Sequence, residues 1–479
     1  MKTFVAFLLL PVALAVIVAL YFGNCVFVHI ENDFAALRRA AETTRPLWHT
    51  YERLESMAPR AWHQPTNSRE IIDTIRLVAR QDDDKETSKI RVVGAGHSWS
   101  PLGLTAGHLI NLDKYSRVLE IDVKNARVTT QSGIRLRDLN RALFERGLAL
   151  ENIGSIDAQS LAGAISTSTH GSGVKYGSIS TKVLWLEMIL ANGSTINITR
   201  DDTGLYGAAT TGLGLLGVIS VVQLECARAF HVYREESLEH VDVAMEKWSE
   251  RVNAIDHYST WWIPYTSSVR LVKVTRVGRE RRANKSDAFT TRSSFGVAVQ
   301  LGWWLGSLAP RLVPHVMAYY VRPLFGIDVA FVATALDGLQ LDPPHVHNEM
   351  EYFIDLENYT RCFRDLVAFV RASDEFKTNF IVQTRFSASD RVWLSPMYER
   401  PKAAIAIMMY RQDARAFFDG AERIFQSYDG RPHWAKKHSA SRDYLQRVYP
   451  MFREFLRVRE ALDPRGIFLN EYLEGVLYG

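Results

Sequence analysis

The chain is predicted to be an α+β protein of two domains behind an apolar N-terminal segment, and three observations predict it. At 479 residues it is long for one hydrophobic core. Between residues 90 and 226, short β-branched runs are punctuated by glycine and separated by brief helical stretches. Beyond Cys226 the composition shifts to longer apolar and amphipathic segments.

Residues 4–22 (FVAFLLLPVALAVIVALYF) pass without a charge or an amide. About 20 apolar residues cross the hydrocarbon layer as a helix. Pro11 is tolerated better in a membrane helix than in a soluble one, and Tyr21 and Phe22 stand where aromatic belts lie. A cleaved signal peptide has a shorter apolar region ending in small residues, whereas bulky Leu20, Tyr21 and Phe22 precede Gly23 here. The expectation is therefore a single-pass anchor over residues 1–24, in the endoplasmic reticulum or another endomembrane, with a linker over 25–45. Lys2 on one side and Arg38, Arg39 and Arg45 on the other leave the orientation open.

Organised structure is expected from Trp48. IRVVGAG, HLINLD, VLEIDV, ARVTTQSG, VLWLEMILANGS and INITR each have strand length, and Asn192-Gly193 is a hairpin signal between the last two. Leu136, Leu139, Asn140 and Leu143 share a helical face over Leu136–Glu145. In the second half, Leu356–Ala372 reads as an amphipathic helix and residues 405–411 (IAIMMYR) as a buried strand. Residues 295–309 (FGVAVQLGWWLGSLA) are too short and interrupted for a span and fit a buried or membrane-touching helix. The expected domains are residues 46–228 and 229–479.

Several classes are disfavoured. The net charge of +4 is spread along the chain, with no nucleic-acid module; the dense basic run 276–285 reads as a solvated loop. Three cysteines, Cys25, Cys226 and Cys362, exclude a disulfide framework and show no zinc spacing. No GxGxxG opens a helix after a strand, and THGSG around His170 is not a hydrolase elbow.

Three loops carry chemistry. Residues 92–101 (VVGAGHSWSP) run a buried strand into glycines that let backbone N–H groups approach an anion. Residues 153–177 (IGSIDAQSLAGAISTSTHGSGVKYG) hold five glycines, five serines and two threonines. That density suits a long cofactor lying against backbone amides, and the interleaved Ile153, Leu161, Ala164 and Ile165 argue against a flexible linker. Residues 208–220 (AATTGLGLLGVIS) form a third glycine-rich bend, which could also be a simple strand bulge.

GAGHSWSP, GSIDAQSLAGAISTSTHGSG and GLGLLGVIS, in that order, resemble the vanillyl-alcohol-oxidase-type (PCMH-type) FAD-binding domain. RFSASDRVWLSP, RPHWAKKH and YPMFREFLRVREALDPRGIFLNEYL resemble the aldonolactone oxidases, the family of gulonolactone and arabinonolactone oxidases. The resemblance runs from about residue 46 to the C-terminus. It implies a two-subdomain FAD-binding domain followed by an α+β substrate domain with a large antiparallel sheet. It further implies FAD carried covalently on His97, with Gly94, Ala95, Gly96 and Ser98 around the pyrophosphate. Ser155, Gly163, Ser166, His170 and Gly173 are expected along the flavin, and Val218 and Ile219 at the adenine end.

In the substrate domain the family's Glu-x-Arg strand pair aligns with Gln383 and Arg385, so the acid is replaced by an amide that cannot take a proton. Glu349 and Glu351 are nearby carboxylates that surface exposure would explain as well. His433 and Lys436 match the family's active-site motif, with Lys436 expected to stabilise developing negative charge. The implied reaction is hydride transfer from an aldono-1,4-lactone to the flavin N5 on the way to ascorbate or an analogue. Reoxidation by O2 yields hydrogen peroxide; in a dehydrogenase another acceptor takes the electrons. The alternatives are an alditol or polyol oxidase of the same fold and a membrane protein that keeps FAD structurally. The expected partners are a sugar lactone, an electron acceptor and the membrane, with no nucleic acid and no metal.

Overall fold

The structure, a computed structural model, describes residues 46–81, 87–278, 302–340, 346–410 and 413–479. The first half is built on a three-stranded and a five-stranded sheet, with two two-stranded pairs beside them. Ala61–His63, His108–Asn111 and Ile90–Val93 form a parallel three-stranded sheet with His108–Asn111 in the middle. The helix Ser68–Ala79 covers it with Ile71, Ile75 and Val78, and Asn67 caps that helix through the Glu70 N–H. The second sheet is antiparallel, in the order Thr195–Thr199, Val183–Ile189, Val218–Glu225, Arg127–Gln131, Val118–Asp122. All six runs read as strands from their β-branched content are strands here. Gly193 takes φ +75° in the turn between the last two, a conformation that favours glycine. Leu136–Glu145 is helical and buries the predicted face of Leu136, Leu139, Asn140 and Leu143.

The second half is organised by an eight-stranded antiparallel sheet. Its order is Val329–Thr334, His231–His240, Ser268–Val277, His257–Trp262, Val382–Ser387, Lys402–Met409, Asn348–Asp355, Arg431–Pro432. Side chains alternate between the faces of a strand. Met350, Tyr352, Ile354, Tyr258, Trp262, Val382, Phe386, Ile405 and Ile407 point into one core shared with helices Val241–Ala254, Leu356–Ala372 and Arg415–Ser427. The intervening residues, among them Glu349, Glu351, His257, Ser259, Gln383 and Arg385, therefore face the other way. The helix read over Leu356–Ala372 has those bounds, and the strand read at 405–411 spans Lys402–Met409.

The core does not follow the chain in order. Helices Arg442–Val448, Phe452–Leu462 and Glu471–Tyr478 insert Leu445, Phe452, Phe455, Leu473 and Leu477 into the core of the first half. Ile467 and Phe468 join the core under the parallel sheet, where the Ile90 N–H donates to Ile467 O at 2.6 Å.

The basic run read as a loop begins differently. Arg276 lies in the Ser268–Val277 strand and donates to Glu151 O, because the eight-stranded sheet extends that far; residues 279–285 lie outside the described residues. Of the tryptophan-rich stretch, residues 302–308 are helical, with Trp303 buried and stacked on Phe380 at 3.8 Å. Cys226 and Cys362 are buried free thiols. Among the described residues no helix is long and apolar enough to cross a membrane, and the anchor read over residues 4–22 lies outside them.

Candidate active site

The three glycine-rich loops converge on one cavity of about 1060 Å³, counting its open mouth. Gly94, Ala95, Gly96, His97 and Ser98 line it from the first loop, Gly163 and Ser166 from the second, and Val218 and Ile219 from the third. The second loop is no flexible linker. Its short helix Leu161–Ser166 buries Leu161, Ala164 and Ile165, which turns Ala162, Gly163 and Ser166 toward the cavity.

The residues fit a bound FAD on three counts. A Cβ on Gly163 would meet nothing within 4 Å, so the helix presents bare backbone to the space. Gly96 sits at φ +69°, the left-handed region that favours glycine. Arg91, fully buried on the cavity wall, donates only to carbonyls, those of Leu102, Leu213, Gly214 and Phe468, and has no carboxylate partner among the described residues. Burial pushes its guanidinium down to about 10. A charge left uncompensated in this way is complementary to a pyrophosphate. Arg91 carried no signal in the sequence, since an arginine within a strand reads as an exposed alternate position.

His97 is stacked on Tyr51, ring centroids 4.9 Å apart, and its Nδ1 is buried without a hydrogen-bond partner. Burial first, and the Arg135 charge second, lower it to about 4, so the ring is neutral and keeps a lone pair.

The first loop is tied to the HWAK segment. The Trp99 backbone N–H donates to Ala435 O at 2.8 Å, and the Ser100 hydroxyl donates to Trp434 O at 2.7 Å. Ala435 thereby lines the cofactor cavity, and Trp434 is core packing. Lys436 is carried to the sheet face, where it meets both carboxylates of the Asn348–Asp355 strand. It ion-pairs with Glu349 and lies 2.8 Å from Glu351. Glu351 also holds Arg385 at 2.6 Å, and Arg385 donates to His170 O at 3.2 Å.

Glu351 and Arg385 belong to strands that are not neighbours, because Lys402–Met409 runs between them. The residues of that strand opposite Glu351 and Arg385 are Ala406 and Ala404. Strand spacing of about 4.8 Å puts the outer two about 9.6 Å apart. Only small side chains on the middle strand leave the long arginine and glutamate room to meet above it.

All these groups are buried, and burial penalises charge. Burial, the largest single influence, would raise the Glu349 carboxyl; the Lys436 ammonium and His347 together outweigh it and hold Glu349 at about 2. Glu351, raised by burial but lowered more by Arg385 and Lys436, stays well below the usual carboxylate range. Two carboxylates and two cations therefore cancel. His433 is lowered to about 3 by burial and then Lys436; its Nδ1 accepts from the Ala435 N–H, so Nε2 bears the proton. His170 is lowered by burial and Arg385. Its Nδ1 lies 2.9 Å from Gly171 O, an atom that only accepts, so the proton sits on Nδ1. Nε2 is a lone pair 3.5 Å from the Glu351 carboxylate.

Ser155, Gln383 and Arg385 line a second, smaller cavity beside this cluster. His170 and Gly173 border neither cavity. Gly173 instead joins the domains, its N–H donating to Phe386 O at 2.6 Å. Sequence reasoning leaves Glu351 a minor alternative, although two glutamates alternating with apolar residues in NEMEYFID are a signal that both share a buried face.

A family model for D-arabinono-1,4-lactone oxidase matches residues 222–476. The chain belongs to the D-arabinono-1,4-lactone oxidase family. A model for an FAD binding domain matches residues 59–199, which include the first two glycine-rich loops of the large cavity. Among relatives of this family member, an L-gulono-1,4-lactone dehydrogenase of Mycobacterium tuberculosis is 31% identical, covering 90% of this chain and 99% of its own. The mouse L-gulonolactone oxidase is 28% identical, covering 88% and 96%. Among solved structures, a solvent-stable cholesterol oxidase superposes with a TM-score of 0.73 at 17% identity, over 90% of this chain and 97% of that one. A cholesterol oxidase from B. sterolicum gives 0.72 at 14%, over 90% and 96%. At such identities they share the fold.

Proposed function

We infer that the protein is an FAD-dependent oxidoreductase that oxidises an aldono-1,4-lactone. The observation that carries this is the neutral, buried cluster of Glu349, Glu351, Arg385 and Lys436 beside the cofactor cavity. A cluster with no net charge accepts an uncharged sugar ring without leaving a buried ion unpaired. FAD, when bound, supplies the two-electron acceptor for a hydride leaving the substrate carbon. Arg385, fixed by Glu351 and the His170 carbonyl, orients the ring and carbonyl oxygens. Lys436 stabilises negative charge that develops beside the cofactor. The substrate hydroxyl also gives up its proton, which passes to solvent as the hydride leaves.

The names of the relatives divide between oxidase and dehydrogenase, so oxygen is proposed here as the electron acceptor on the oxidase side. Residues 4–22 are proposed to anchor the protein in an endomembrane; release from membranes by alkaline carbonate would overturn that.

The experiment is anaerobic flavin bleaching with gulono-, galactono- and arabinono-1,4-lactone. One of them is expected to bleach the flavin, and air to restore it with formation of peroxide. Gln383 favours a second reading, oxidation of an alditol, because the amide stands where the family has a carboxylate. Gln383→Glu is expected to preserve or raise lactone turnover in the same assay. Collapse of turnover with the flavin intact would mean that the amide is required and would favour the alditol.

A further inference from the structure

The second cavity, about 410 Å³ counting its open mouth, is lined by Gln383 and Arg385 together with Asn152, His257 and Ser259. Three residues that line it each hold a buried, unpartnered polar atom: Asn152 Nδ2, Arg385 Nε and His257 Nε2. Asn152 is 8% exposed, Arg385 8% and His257 4%. Atoms of this kind are costly unless a ligand pairs them.

Their hydrogen-bonding sense is fixed. His257 Nδ1 lies 2.9 Å from Ser172 O, a carbonyl that only accepts, so Nδ1 carries the proton and Nε2 is a lone pair. The ring is buried and stacked on Tyr176 at 4.7 Å, and burial lowers it to about 4, so it stays neutral. Asn152 Nδ2 and Arg385 Nε can only donate. These three atoms thus offer two donors and one acceptor. A carboxylate or phosphate would meet the imidazole lone pair, and an ammonium would meet the arginine. A hydroxyl group, which donates once and accepts twice, satisfies both kinds.

We propose that this cavity is a specificity subsite for the hydroxylated arm of the sugar lactone, with His257 Nε2 accepting from and Asn152 Nδ2 donating to its hydroxyls. The proposal rests on the lactone reading above and deepens it. A site built to hydrogen-bond a hydroxyl rejects the analogue that lacks it far more strongly than an apolar pocket distinguishes one methylene.

The test compares L-gulono-1,4-lactone with its 6-deoxy counterpart on the holoenzyme. Wild type is expected to favour the hydroxylated lactone in kcat/KM by ten-fold or more. His257→Phe keeps the ring stacked on Tyr176 but removes the acceptor. It is expected to lower kcat/KM for the hydroxylated lactone at least ten-fold, through KM, and to leave the deoxy analogue within two-fold. Asn152→Leu, of similar size, is expected to act the same way. An equal loss on both lactones, or no loss on either, would overturn the subsite. If wild-type flavin is bleached by an alditol and by no lactone, the lactone reading fails; the same ratio, measured with that alditol and its terminal deoxy analogue, then decides the subsite. Bleaching by neither class would overturn both.

Discussion

Glu351→Gln is expected to cost about 3–5 kcal/mol of stability, the usual effect of removing one partner from a buried ion pair, and to lower lactone kcat/KM by two orders of magnitude or more. Glu351 is fully buried and faces both Arg385 and Lys436. With glutamine in its place Glu349 alone would balance two cations, Arg385 would lose its closest partner, and His170 would lose the carboxylate beside Nε2. Glu351 acts through these neighbours, so it is a positioning residue whose effect should reach beyond stability. Thermal melting and single-turnover flavin bleaching, measured together, separate the two. The bleaching rate at saturating lactone is expected to fall even well below the melting temperature. A variant that melts earlier yet bleaches at the wild-type rate would leave Glu351 only a structural role.

The second large effect concerns how the cofactor is held. His97→Ala is expected to abolish covalently bound flavin. His97 is neutral, its Nδ1 is buried and without a hydrogen-bond partner, and Tyr51 stacks on the ring at the wall of the cofactor cavity. A fixed neutral imidazole with a free lone pair is what a covalent bond from nitrogen requires. Acid precipitation followed by flavin absorbance of the pellet reads the bond directly: colour in the wild-type pellet, none in that of the variant. Flavin retained in the variant pellet would assign the linkage elsewhere. Arg91 and the glycine loops remain, so the variant should still bind FAD reversibly.

These predictions draw on features that were unequally visible in the chain. The glycine loops were visible, because backbone N–H groups that approach a cofactor demand glycine and small hydroxyl residues whatever surrounds them. The helical face of Leu136, Leu139 and Leu143 was visible for a similar reason: 3.6-residue periodicity is a local property. Arg385, His433 and Lys436 were found through motifs. Glu351, Arg91, His257 and Asn152 were not, because their roles arise from pairs far apart in the chain. Arg91 is defined by carbonyls of Leu213 and Phe468, and His257 by the carbonyl of Ser172. No local pattern tells a buried arginine that bonds only carbonyls from one that alternates into solvent.

The sequence by itself determined the element types, the glycine cradle, the small residues at Ala404 and Ala406, and the replacement of the family's glutamate by Gln383. Each follows from local sterics, periodicity or residue chemistry. Only the tertiary structure decided which charges meet. The return of the C-terminal helices to the first core places the HWAK segment against the GHSWS loop. The strand order puts Lys402–Met409 between Glu351 and Arg385, and the alanines there let the pair close. Electrostatic partnership depends on distance in space, and in this fold that distance is set by sheet order and long-range packing.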